Sequence, residues 1–216
     1  MTRRIQVSST RLERWLSGFH DRHQIVKSVY YGNGVKFLGI NGDEASVEVP
    51  YGAIPVQGER DGFAPEPLLS HASRSLRLGM VLVRLGGYAV GVFDGPTLVV
   101  SKVDSRLVHG RHKKGGSSSG RFARRRENEV RQLVNAAADT TARVVLPRLA
   151  SLEAVVVGGD RAAVAQVLAD KRLSACAALV RGPFLSVPDP KLRILQESYE
   201  KALAVTIDIR DGQTVR

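Results

Sequence analysis

Leu12, Trp15, Leu16 and Phe19 recur at three- and four-residue intervals. With Thr10 and Glu13 forming a T-x-x-E capping box ahead of them, this spacing predicts an amphipathic helix over about residues 10–22. Trp15 is expected to anchor it to a core. Apolar or alternating runs follow at 25–31, 35–40 and 44–49, separated by Gly32-Asn33-Gly34 and Asn41-Gly42-Asp43, which are hairpin signals. The pattern then breaks. Residues 50–67 contain Pro50, Pro55, Pro65 and Pro67 with Gly52, Gly58 and Gly62, so a linker without regular structure is expected there.

Beyond a short helix-like stretch at 71–78, three strands are predicted at 80–85, 88–93 and 97–103, turning at Gly86-Gly87 and Asp94-Gly95. From Ser119 onward Phe122, Val130, Leu133, Val134, Ala137 and Val144 keep to one helical face, while Arg121, Arg125, Glu129 and Arg131 lie largely on others. Pro147 ends that helix at the latest. A short buried strand is predicted at 154–157, and a helix capped by Asp160 runs to about 171. A further strand is expected at 175–180. Asp189-Pro190 opens a helix reaching about 202, and 204–209 closes as a strand. The order βββ-α-β-α-β-α-β predicts an α/β domain, a mixed sheet flanked by helices, over 68–216. Residues 1–67 form a small α+β unit, helix plus meander, with its linker.

Charge changes the picture more than composition does. The 216 residues are 43% hydrophobic, ample for a core, but carry a formal charge of +11. With a pI near 10.3, this points to nucleic acid ahead of an anionic membrane surface. A lone Cys176 excludes an intramolecular disulfide framework and offers no cysteine pair for zinc, which fits a reducing cytoplasm. No apolar run has the length of a membrane span, and Met1-Thr2-Arg3-Arg4 is not followed by a signal-peptide core. A cytoplasmic protein with no membrane partner is expected.

The excess charge concentrates between the third strand of the meander and the long helix. Arg106, Arg111, Lys113, Lys114, Arg121, Arg124, Arg125 and Arg126 lie between Asp104 and Glu127 with no carboxylate among them. Gly115 and Gly116 free the backbone there and remove side chains that would hold a ligand away from the amide N–H groups. Composition alone reads Gly115 to Gly120 as a flexible connection. Its setting favours function: cations in the first turns of a helix oppose the macrodipole, and a bound polyanion offsets that cost. The spacing Gly115-x4-Gly120 mimics a nucleotide loop, but Arg121 and Phe122 stand where lysine and the Mg²⁺-binding hydroxyl belong, so no nucleotide cofactor is expected. His109 and His112 lack a neighbouring carboxylate or cysteine, and no metal site is assigned. Asp94, Asp104 and Asp208 are the carboxylates a metal-dependent nuclease would have to bring together. Ser117, Ser118 and Ser119 lack the G-x-S-x-G elbow of a nucleophile. Phe122 and Cys176 read as core residues.

The stretch from Lys114 to Arg124, KGGSSSGRFAR, resembles the catalytic loop and following helix of the eukaryotic and archaeal class I release factors, whose pattern runs Gly-Gly-Gln-Ser-x-x-Arg-Phe-x-Arg. Gly115, Gly116, Ser118, Arg121, Phe122 and Arg124 match in register, and Ser117 stands at the glutamine. In the Vms/ANKZF branch the glutamine comes one position later, where this chain has Ser118. The resemblance is therefore to the bacterial, chiefly actinobacterial, group of Vms-like release-factor homologues. It implies a ribonuclease-H-like fold over about residues 77–210 and a peptidyl-tRNA hydrolase that frees nascent chains from stalled large ribosomal subunits. It further implies Gly115, Gly116, Ser117 and Ser118 as the catalytic tip, the eight Lys/Arg residues as contacts to rRNA and peptidyl-tRNA, and no cofactor. Nothing in residues 1–70 resembles a stop-codon-reading motif. The alternative is a ribosome- or RNA-binding protein that keeps the loop without hydrolysis; a third reading is an RNA-processing nuclease on the same fold.

Overall fold

The computed structural model describes residues 2–105 and 119–212, with side chains from 124 onward in the helix that begins at 119. In chain order, β1 (Thr2–Val7), α1 (Ser9–His23), β2 (Ile25–Tyr31), β3 (Gly34–Gly39), β4 (Glu44–Glu48), β5 (Gly58–Asp61) and α2 (Glu66–Ala72) come first. The meander β6 (Arg77–Arg84), β7 (Gly87–Asp94) and β8 (Thr97–Ser105) follows, then α3 (Ser119–Val144), β9 (Ala154–Gly159) and α4 (Arg161–Leu168). The chain closes with α5 (Ser174–Ala178), α6 (Leu192–Ala202) and β10 (Val205–Arg210). These elements form two compact units, Met1–Arg74 with Glu200–Arg216, and Ser75–Tyr199.

The first unit is an antiparallel sheet in the order β1-β10-β4-β3-β2-β5. Alternation puts Val35, Phe37, Ala45, Val47, Val205 and Ile207 on its inner face, buried with Leu12, Leu16 and Phe19 of α1 and Leu68 of α2. Trp15 is only partly buried and stacks on Phe19, so it borders this core and does not anchor it. The opposite face is laced by ion pairs: Arg4 with Asp208 at 2.7 Å, Arg210 with Glu44 at 2.5 Å, and Lys27 with Glu59 at 2.7 Å.

Three features of this unit depart from the pattern reading. Helix α1 starts at Ser9, with Ser8 in the cap position, so Thr10 lies inside the first turn and the capping box does not form. Strand β5 lies within the Pro/Gly segment, free of proline itself, and needs a ladder on one side only because it is an edge. Strand β10 belongs here and not to the second sheet. Consequently the division at 67/68 differs from the observed one: α2 and residues 200–216 sit in the first unit. The reason is packing, since Val205 and Ile207 are fully buried against the α1 core while β10 hydrogen-bonds to both β1 and β4.

The second unit is a mixed sheet in the order β8-β7-β6-β9, an antiparallel meander extended by β9, which runs parallel to β6. Bridges from Val155 to Val180 and from Gly158 to Leu185 continue it on the far side of β9. Val81, Val83, Tyr88, Val90 and Val92 point to one face and are covered by Leu133, Val134 and Ala137 of α3 and Val164 and Val167 of α4. On the other face Leu195 of α6 lies over Gly91, where an added Cβ would come within 2.9 Å of it, and the Phe93 and Tyr199 rings stack at 5.3 Å. Helices on both faces of a mixed sheet make this the α/β architecture expected. The strand expected at 175–180 is instead helix α5 with a single bridge at Val180, as the Ala-rich run Ala175-Cys176-Ala177-Ala178 favours. Cys176 is buried, which pushes its thiol up. No described helix is long and apolar enough to cross a membrane.

Gly87 opens β7 directly opposite Ser105, the last residue of β8. A Cβ there would lie 2.5 Å from the Asp104 carbonyl oxygen, a backbone atom that has no room to yield. Gly87→Ala should therefore destabilise the second unit by about 1–3 kcal/mol in denaturant titrations, by forcing the end of β8 away.

Candidate functional site

The candidate site is the junction between β8 and α3. Register places its root: Ser105 and Arg84 both pair with Gly87, and Val83 pairs with Gly159, so the ends of β8, β6 and β9 share one edge of the sheet. Gly115, Gly116, Ser117, Ser118, Arg106, Arg111, Lys113 and Lys114 lie outside the described residues, as does the side chain of Arg121.

Helix α3 carries the junction away from that edge. Its buried side chains begin at Leu133 and continue through Val134, Ala137, Ala138, Thr140, Thr141 and Val144. Tyr88, at the carboxyl edge, shares a 3.0 Å hydrogen bond with Thr140, whereas Val145, just past the helix, lies over Gly79 deeper in the sheet. The helix thus runs inward from the edge. None of residues 124–132 is buried. The helix from Ser119 to Gln132, the arm, is about 20 Å long at 1.5 Å per residue, and of its residues from 124 on only Val130 packs on the core, partly buried.

The arm carries Arg124 and Arg125, both exposed, and the half-buried Arg126. Glu129, one turn on, pairs with Arg125 at 3.1 Å. The charge of the basic run is thus partly neutralised from beyond Glu127, an i,i+4 contact that spacing alone would have revealed. At its other end α3 is tied by Arg172, which bridges Asp139 at 2.8 Å and Asp170 at 2.6 Å. Hydrogen bonds from the Arg172 side chain, then from its backbone N–H, pull the Asp170 carboxyl down to about 2.

Two carboxylates of the nuclease reading, Asp94 and Asp104, stand apart along the β7–β8 pair. Asp94 pairs with Arg77 at 2.9 Å and lies opposite Thr97, seven positions along β8 from Asp104, while Asp208 is held by Arg4 in the first unit. No cluster of metal-ligating side chains occurs among the described residues. Two exposed cations that stand apart in sequence, Arg84 and Arg161, share the edge from which the arm departs; no basic run singled them out.

Residues 76–208 match the family model of the Actinobacteria/chloroflexi VLRF1 release factor. The chain belongs to that family. A VLRF1 chain of this kind is similar to peptide chain release factor subunit 1 of Archaeoglobus fulgidus, 27% identical over 97 residues, which are 45% of this chain and 24% of that protein. The chain thus spans about a quarter of the curated relative it matches. Among solved structures it is similar to the archaeal translation termination factor aRF1, with 15% identity and a TM-score of 0.47 over 91% of this chain and 70% of that one. It is also similar to Archaeoglobus fulgidus Pelota, with 11% identity and a TM-score of 0.30 over 94% and 63%. The VLRF1 match includes β6, β7, β8, α3, β9 and α4, and so encloses the whole junction.

Because the folded carboxyl of Asp170 titrates at about 2 against an ordinary 3.8, its contribution to stability is fully present above about pH 4 and is lost as pH falls toward 2. Arg172→Ala should remove the larger part of that contribution, since the backbone N–H of residue 172 still donates to the Asp170 carboxylate. Acid-unfolding curves of variant and wild type should therefore differ above pH 4 and converge near pH 2.

Proposed function

We propose that this protein is a peptidyl-tRNA hydrolase that acts at the large ribosomal subunit and frees nascent chains from stalled complexes. The observation that carries this reading is the coincidence of motif and family: Gly115-Gly116 and Arg121-Phe122-Ala123-Arg124 fall in the release-factor register inside the span matched by the VLRF1 family. The setting supports it. A basic segment joined to a helix whose residues 124–132 are not buried is suited to reach an ester held among RNA phosphates, with the family's cytoplasmic translation machinery as its place of work.

In this reading Lys/Arg contacts to rRNA and tRNA phosphates provide affinity and orientation without reading sequence. The backbone N–H groups of Gly115 and Gly116 stabilise the oxyanion that forms as water attacks the ester carbonyl, and one well-placed donor of this kind contributes roughly 3–4 kcal/mol. A hydroxyl of Ser117 or Ser118, donor and acceptor at once, places the water where the related pattern uses glutamine. That replacement is also what favours a second reading, in which the loop docks on the ribosome without hydrolysis.

Single-turnover release of peptide from peptidyl-tRNA on purified large subunits, at saturating protein, separates the two. Wild type should release peptide, and Gly116→Ala should reduce the rate about a hundred-fold or more with binding nearly unchanged, because a Cβ at the tip blocks approach to the ester. Release that appears only in Ser117→Gln or Ser118→Gln would favour the docking reading. Release by wild type that Gly116→Ala leaves intact would mean that the loop is not the active element.

Replacing Arg124, Arg125 and Arg126 together by alanine should weaken association and flatten its salt dependence, lowering the log–log slope by about two to three. The lower figure applies if Arg125 stays with Glu129 in the complex. An unchanged slope across a salt titration would remove the arm from the binding surface.

A further inference from the structure

Two cations at the foot of the arm are held in a way that ordinary surface arginines are not. Arg84 ends β6, and its side chain crosses Gly159, where an added Cβ would come within 3.1 Å of the Arg84 Cγ; its Nη1 donates to the Val187 carbonyl at 2.8 Å. Arg161 opens α4, with its guanidinium carbon 4.1 Å from the centre of the Phe184 ring. The segment that receives both is fixed to β9, since Gly159 N–H donates to Leu185 O and Leu185 N–H donates to Val157 O, each at 2.9 Å. Both arginines are exposed, and among the described residues neither is paired with a carboxylate. Of the carboxylates nearby, Asp160 is occupied in capping α4 through the Ala163 N–H, and Asp189 lies beside Gly86.

An arginine held by one carbonyl or one ring face keeps most of its five donors for a ligand and loses little freedom on binding it. Planar forks of this kind match phosphate oxygens. The two flank one strand end, and two strand spacings, about 10 Å, separate Arg84 from Ser105, where the basic segment begins.

We propose that this carboxyl edge is a docking ledge for the phosphate backbone of the tRNA whose ester the loop attacks, with Arg84 and Arg161 as its contacts. The proposal rests on the hydrolase reading above. It favours tRNA over rRNA because Arg84 lies about 10 Å from Ser105, the residue that leads into the segment carrying Gly115 and Gly116, and the polyanion that has to come near that segment is the one bonded to the ester it attacks. The contacts are to backbone and carry no sequence preference.

The test measures binding across a salt titration to two probes, large ribosomal subunits carrying peptidyl-tRNA and vacant large subunits. The variants are Arg84→Glu with Arg161→Glu, and Arg181→Glu as a control. Arg181 is exposed too, but its N–H bonds Val155 O near the start of β9, away from the ledge. The double variant should bind tRNA-loaded subunits at least tenfold more weakly, with the log–log salt slope reduced by about two, and vacant subunits like wild type. Arg181→Glu should match wild type on both. Should thermal melts show the double variant unfolded, Arg84→Gln with Arg161→Gln serves in its place, with a smaller loss in the same direction.

Wild-type binding by the double variant to loaded subunits would overturn the ledge. An equal loss on vacant subunits would overturn the choice of tRNA, and an equal loss in Arg181→Glu would reduce the effect to net charge. The two readings fail separately. If wild type releases no peptide while the ledge variants lose tRNA-dependent binding, hydrolysis falls and the ledge stands; release with unaltered ledge binding is the reverse.

Discussion

Everything proposed for the junction depends on the unequal burial of α3. Its C-terminal part is packed on the sheet through Leu133, Val134, Ala137 and Ala138, and is pinned by the Tyr88–Thr140 hydrogen bond and the Arg172 bridge. A fully buried leucine or valine contributes roughly 1.5–3 kcal/mol, so a handful of them outweighs the cost of extending the N-terminal stretch. Over residues 124–132 that stretch gains little, since only Val130 packs on the core and it is partly buried. It persists as helix because it continues one already nucleated, each further residue adding a hydrogen bond without the cost of starting anew.

Electrostatics works against the same arm. Three consecutive arginines near a helix N-terminus repel one another and oppose the macrodipole, and Glu129 offsets part of this through Arg125. The ion pairs elsewhere follow a different logic. Arg4–Asp208, Arg210–Glu44 and Lys27–Glu59 each join neighbouring strands on the open face of the first sheet, where exposed pairs are worth little individually but disfavour wrong registers. At these pairs charge in the first unit is matched across strands, whereas the run from Arg106 to Arg126 holds no carboxylate in its sequence.

Glycines set the close approaches around that junction. Gly87 lets β8 run on to Ser105, and Gly159, at φ +101 with an added Cβ only 2.1 Å from Val83 O, lets β9 close against β6 as α4 begins. Arg84 lies across the space a side chain would take there. The carboxyl edge is therefore shaped by backbone, which no charge or motif count registers.

Local chemistry was legible in the sequence by itself. Period-2 and period-3.6 patterns, the Gly86-Gly87 and Asp94-Gly95 turns and the Asp160 cap place the meander β6, β7, β8, the helices α3 and α4 and the strand β9 near where they form, because each depends on neighbours a few residues away. The basic run and the Gly-Gly motif were legible for the same reason, and with them the family. What tertiary structure decided is everything that joins distant segments. The sequence pattern shows β10 to be a strand but is silent on its partners: its alternation suits either sheet, and only the buried fit of Val205 and Ile207 against α1 assigns it to the first. Residues 175–180 satisfied a strand by hydrophobicity, yet with Cys176 buried in the core residues 175–178 are helical and only Val180 bridges to β9. Arg84 and Arg161, 77 positions apart in the numbering, become neighbours only through the parallel pairing of β6 with β9. Long-range pairing is set by which faces remain to be buried once local elements exist, and that is a property of the packed chain and not of any window along it.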